Sequence, residues 1–298
     1  MDSILRKLAL LLFLSFMLFG MNTVASAAMV KGIYITQPTF EDTKYLAYLI
    51  EHSKKAGINT FVIDLELPSK HYQDNLALVK KNNITYIARV IIFPNGGGKP
   101  QEVASEAYWE KKYKLIKTAV EYGAQEVQLD YIRYNTKQGA SSQHAKDIYK
   151  IIQFYKNRLA KQNIPLQIDV FGIASFGEEK NIGQNIKLFS QSVDAVCPMV
   201  YPSHFEPFKV HAKAPYNTVY NSLEAIKDQF DNKKLPFKLY PYIELSNYRY
   251  PLSKSKKLDY IYAQIQAAEN ANADGWYAWS PHNLYDNLFT VLETKNVK

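Results

Sequence analysis

Eight short strand-like runs alternate with helix-like stretches along this chain, and that order restricts its fold more than any other feature. The runs are Gly32–Thr36, Thr60–Leu67, Thr85–Phe93, Glu126–Tyr134, Pro165–Gly172, Ala195–Tyr201, Lys238–Leu245 and Gly275–Ser280. Between them, apolar residues recur at three- and four-residue steps: Trp109, Tyr113, Ile116 and Val120; Ile148, Ile151, Tyr155 and Leu159; Leu258, Ile261, Ile265 and Ala268. Such stripes are core-facing helix faces. Eight strands, each followed by a helix, predict an α/β fold of the (β/α)8 TIM barrel type in a single domain. A doubly wound open sheet is the alternative. It wants a glycine-rich phosphate turn after its first strand, and Gln37-Pro38-Thr39-Phe40 stands there instead. Gly96-Gly97-Gly98 follows the third run without the fingerprint spacing and reads as a flexible loop.

The strand parity carries a chemical message. Helices cover the outside of a barrel, so outward residues should be apolar. Phe61, Ile63, Leu65 and Leu67 oppose Asp64 and Glu66. Ala88, Val90 and Ile92 oppose Arg89. Val127, Leu129 and Tyr131 oppose Gln128 and Asp130. Leu166, Ile168 and Val170 oppose Gln167 and Asp169. Leu239, Ile243 and Leu245 oppose Tyr240, Tyr242 and Glu244. One parity therefore gathers Asp64, Glu66, Arg89, Gln128, Asp130, Asp169 and Glu244 around the barrel axis. Burying unpaired ions costs several kcal/mol each, so Arg89 should pair with Asp64 or Glu66, and the remaining carboxylates point to catalysis. Asp194 begins its strand at the opposite end and reads as structural.

Carboxylates with aromatic residues suit glycoside chemistry, in which one carboxyl protonates the leaving oxygen and another attacks the sugar or activates water. The chain has 23 tyrosines and 3 tryptophans, and Tyr201, Tyr242 and Trp279 fall near strand ends. No His-x-His stands on an early strand and no Gly-x-Ser-x-Gly elbow occurs. Neither a metal site nor a serine esterase is expected, and no cofactor is implied. The single cysteine, Cys197, lies in an apolar run and reads as a core residue.

Met1 to Ala27 has the pattern of a secretory signal peptide: Arg6 and Lys7, an apolar run from Leu8 to Phe19, and Ala25-Ser26-Ala27 as the cleavage site. The barrel is then expected over residues 28–298, in a secreted or periplasmic protein not held at a membrane. The net charge of +8 is compatible with an anionic polysaccharide partner. Without a dense Lys/Arg cluster or a nucleic-acid motif, nucleic acid is not expected.

Five segments in order carry a family likeness: Lys31-Gly32-Ile33-Tyr34, Leu129-Asp130-Tyr131-Ile132-Arg133-Tyr134, Asp169-Val170-Phe171-Gly172, Ile182-Gly183-Gln184 and Pro198-Met199-Val200-Tyr201-Pro202-Ser203-His204. From about Val30 onward the chain resembles the glycosyl hydrolase-like domain family of unknown function, related to amylase-type glycosidases. The resemblance implies a (β/α)8 fold and functional positions at Asp130, Arg133, Asp169, Tyr201 and His204. The chitinase-type Asp-x-x-Asp-x-Asp-x-Glu series is absent, so that mechanism does not carry over. Tyr240-Pro241-Tyr242-Ile243-Glu244 departs from the more open Trp/Gln/Asp pattern of the family's seventh strand.

The sequence thus nominates Asp130 as nucleophile or base, and Asp169 and Glu244 equally as proton donor. Asp64, Glu66, Arg89, Arg133, Tyr201, His204, Tyr242 and Trp279 are candidate substrate contacts. A barrel without catalysis that binds polysaccharide or a cell-envelope partner is the competing reading.

Overall fold

The structure is a computed structural model, and it describes residues 29–246 and 249–295. The expected signal segment, 1–27, lies outside them. Among the described residues nine parallel strand segments close on themselves: β1 (Val30–Ile35), β2 (Thr60–Asp64), β3 (Thr85–Ile91), β4 (Glu126–Asp130), β5 (Leu166–Phe171), β6 (Ala195–Met199), β7 (Lys238–Leu239), β8 (Tyr242–Glu244) and β9 (Gly275–Trp279). β5 pairs with β6 and β1 with β9, which completes the ring. β7 and β8 are two halves of the seventh stave, so the barrel has the eight staves expected. Among the described residues no helix is long and apolar enough to cross a membrane.

The helices start where short polar side chains take up their first free N–H groups. Asp42, Ser69, Ser105, Ser141 and Ser253 each accept from a first-turn backbone amide, and such a cap contributes about 1 kcal/mol. The helices bury their apolar stripes against the outward strand residues. Ile33, Ile63, Val90, Leu129, Ile168 and Val170 all belong to that one core. The interior of the barrel is different. Tyr34, Val62, Ile87, Cys197, Tyr242 and Tyr277 form a second, smaller cluster, and Gln128 and Gln167 are buried among the strands with it. Gly32 makes room there, because a Cβ on it would stand 2.5 Å from the Tyr277 ring.

Three staves depart most from their predicted runs. Leu65 makes the last ladder bond of β2, to the Arg89 carbonyl on β3 at 2.9 Å, and β2 stops because the next amides, of Glu66 and Leu67, donate to Gln37 Oε1 at 2.8 and 3.1 Å. Glu66 is therefore exposed at the mouth instead of facing the axis, and Leu67 is 85% exposed. β4 stops at Asp130 because Tyr131 turns to φ +51°. The seventh stave breaks at Tyr240-Pro241, since proline has no N–H for the ladder; Tyr242 then resumes pairing with Met199 and Tyr277.

Candidate active site

Arg89 organises the C-terminal end of the barrel. It comes from β3, and its guanidinium reaches Asp64 at the end of β2, Asp130 at the end of β4, and Asp169 on β5, the last at 3.3 Å. Burial works against the arginine's charge. Asp130, Asp64, Tyr34 and Asp169 outweigh that and hold its pKa above the ordinary arginine value. Tyr34 closes the group from β1: its hydroxyl donates to Asp64 Oδ2 at 2.5 Å, and its ring lies 4.9 Å beneath the guanidinium carbon. Three carboxylates against one cation leave an excess of negative charge, which a proton on one of them halves.

Asp169 is the carboxyl whose surroundings most favour that proton. Burial and the nearby Asp130 charge push its pKa well up, and Arg89 only partly offsets them. Asp130 is arranged otherwise. Oδ2 accepts from Arg89 and Oδ1 accepts from the Tyr131 amide at 2.5 Å. The left-handed turn at Tyr131, uncommon for a bulky side chain, delivers that amide. The β4–β5 register pairs Gln128 with Gln167 and Leu129 with Ile168. Asp130 and Asp169 therefore come next as side-by-side positions, about 4.8 Å apart in backbone.

Above them opens a cavity of about 580 Å³, lined by Asp130, Asp169, Arg89, Tyr201, Tyr242 and Trp279 among others. Tyr201 stacks on Trp279 with ring centres 4.9 Å apart and planes 20° from parallel, and His204 meets the Tyr201 ring edge-on. Burial, with Arg249 nearby, lowers the His204 pKa. Tyr131, Phe171 and Ile173 add apolar wall.

Other predicted residues lie outside this lining. Glu244 is fully buried, and its carboxylate accepts from the Ser203 amide at 2.8 Å, from Ser203 Oγ at 2.6 Å and from the Tyr260 hydroxyl. It ties the loop Pro202–His204 to β8. Burial raises its pKa against those bonds. Arg133 is buried beside the cavity wall, with its guanidinium 4.8 Å from the Phe171 ring and Nη1 on the Tyr134 carbonyl. Asp64 backs Arg89 instead of lining the cavity. Asp194 takes Lys156 and the Leu166 amide at the far end, as a structural residue should. The glycine loop is packed, not free: a Cβ on Gly97 would come within 2.5 Å of the Tyr134 carbonyl.

Tyr34, Tyr131, Phe171 and Glu206 also line the cavity and are not among the candidates that sequence pattern picks out. Tyr34 was detectable, since it opposes Ile33 and Ile35 in parity. Glu206 carried no signal, being on the loop after β6, where it reaches the cavity rim.

A family model described as "Putative glycosyl hydrolase domain" matches residues 97–285, well over half of the chain. The chain belongs to this family. The match begins after β3, so Tyr34, Asp64 and Arg89 precede it. Among solved structures, this glycosyl hydrolase-family barrel is similar to the spore cortex-lytic enzyme SleL of Bacillus cereus (12% identity, 89% of this chain and 73% of that one, TM-score 0.61). It is also similar to a chitinase of Chromobacterium violaceum (10%, 89% and 98%, 0.60) and the Group IV chitinase of Ostrinia furnacalis (11%, 89% and 99%, 0.60). At these identities the likeness is one of fold. No curated protein sequence matches the chain.

Proposed function

We propose that this protein is an exported glycoside hydrolase that cleaves a polysaccharide or oligosaccharide with two aspartates. The observation that carries the reading is the pairing of Asp130 with Asp169 at the cavity floor: adjacent carboxyls on one guanidinium, of which Asp130 accepts on both oxygens and Asp169 is buried so that its pKa is raised. Trp279 and Tyr201 provide an aromatic platform for a sugar face. The names of the structural neighbours, chitinases and a cortex-lytic enzyme, support a glycan as substrate class.

Carboxyls about 5–5.5 Å apart belong to retaining enzymes, and wider pairs of about 6.5–9.5 Å to inverting ones. Neighbouring register positions favour retention. In the first step Asp130 bonds to the anomeric carbon as the glycosidic C–O bond breaks, and the Asp169 proton passes to the leaving oxygen. In the second, Asp169 takes a proton from water, the water oxygen bonds to the anomeric carbon, and Asp130 leaves. A second cleft, between the loops after β3 and β4, is lined by Asn95, Lys99, Gln101, Asn135, Lys137 and Gln138, with Glu102 as its one acidic side chain. Its lysines and amides suit an anionic, hydroxyl-rich chain longer than the main cavity holds.

The chain from Ala28 onward, offered a panel of neutral and anionic polysaccharides including peptidoglycan, should release reducing ends from at least one, with anionic members preferred. Glycan binding without release across the whole panel would instead favour a carbohydrate-binding barrel without catalysis.

A further inference from the structure

Beneath Asp169 the barrel is threaded by amides. At the closed end, Gln167 Nε2 donates to Glu126 Oε2 at 2.7 Å. That orients the other end of the Gln167 amide: its Oε1 accepts from Gln128 Nε2 at 3.0 Å, from Tyr277 at 3.2 Å and from Cys197 at 3.3 Å. Gln128 is oriented in turn. Its Nε2 faces Gln167, so its Oε1 accepts from Tyr242 at 2.8 Å and stands 3.2 and 3.3 Å from the two Asp169 carboxyl oxygens. Two bare acceptors at that distance repel each other, whereas a proton on Asp169 turns the contact into a hydrogen bond. Rotating Gln128 alone would let it donate to Asp169, but would set its oxygen 3.0 Å from Gln167 Oε1. Rotating both amides removes that conflict and places the Gln167 carbonyl against Glu126, which is then satisfied only by a protonated Glu126. Two consistent arrangements result. In one, Glu126 is ionised and Asp169 protonated; in the other, the protons are exchanged.

We propose that Gln128 and Gln167 form an amide relay through which the charge on Glu126 holds the proton on Asp169. Glu126 is thus a positioning residue for the reaction, although it lies outside the cavity lining. The amides rotate without carrying a proton, and each carboxyl exchanges with solvent at its own end. The inference rests on the reading of Asp169 as the acid, yet it can be tested without turnover. The other groups facing Asp169 are Arg89, Asp130, Asp64, Cys197, Tyr201 and Tyr242. Those around Glu126 are Asp194, Cys197, Tyr240 and Tyr277. None of them changes in the variants below.

The experiment is a carboxyl-carbon NMR titration of protein labelled at aspartate, with Asp169→Asn assigning the signal. Glu126→Gln keeps the shape and removes the fixed charge. It should lower the Asp169 midpoint by about one pH unit and, on any cleaved glycan, move the alkaline limb of the rate profile equally. In a Gln128→Met background, or Gln167→Met should the first not fold, Glu126→Gln should add no further shift. An unmoved midpoint in Glu126→Gln would overturn the relay. So would a shift that persists undiminished in the methionine background, since that is charge acting through space. If no glycan is cleaved, the titration still decides the relay, and only the catalytic reading fails.

Discussion

At the scale of single residues, Asp130 and Asp169 are the same side chain given different surroundings. Asp130 ends its strand where a donor meets each oxygen, while Asp169 sits one strand over, deeper, beside a like charge. Sequence parity placed both on the axis, but it could not separate Asp169 from Glu244, since parity does not reveal partners. The distinction lies in Ser203 and Tyr260, which reach Glu244 from other parts of the chain. Likewise Glu66 shares the parity of Asp64 and misses the interior only because Gln37 captures the backbone beyond the strand. Asp169→Asn should lower the rate about 10²–10⁴-fold on ordinary glycans and far less on substrates with activated leaving groups, which need no proton. The same variant tests the raised pKa. The native state keeps a proton that the unfolded chain loses above pH ~4. The wild-type contribution is therefore complete below that pH and is lost as pH rises through the folded value. Asp169→Asn, which cannot ionise, should melt higher than wild type at pH 8, with the gap closing toward pH 4; a gap that widens on acidification contradicts the assignment.

At the scale of elements, the strand–helix order was legible because it is periodic, and the strand ends were not. Each end is set by a local event: an amide diverted to Gln37, a left-handed Tyr131, a proline at 241. These ends are also where the site is made, so the fold was easier to read than the site. Glu244 shows how an element supports the cavity from behind. It fastens the loop that carries His204 and Glu206 to β8. Glu244→Ala strands the Ser203 and Tyr260 donors, and buried donors without partners cost about 1–3 kcal/mol each. Denaturant unfolding should show a loss of about 2–3 kcal/mol; an unchanged midpoint would remove Glu244 from this supporting role.

At the scale of the whole molecule, a closed barrel brings staves from both ends of the sequence onto one guanidinium. Tyr34, Asp64 and Arg89 lie in the first third of the chain, outside the span of the family match, and complete a centre whose other two aspartates, Asp130 and Asp169, lie within it. The net charge of +8 acts over longer range than any of these contacts. Binding to an anionic glycan should weaken as salt rises from low to physiological strength, whereas binding to a neutral one should hold; titration calorimetry on both would compare them. The most direct test of the whole account is the rate of reducing-end release by wild type and Asp130→Asn on the first glycan found to be cleaved. Circular dichroism and glycan binding would confirm that the variant is folded. Asp130→Asn should bind the glycan and not cleave it. Equal rates in the two proteins would remove Asp130 from the chemistry and contradict the two-aspartate site.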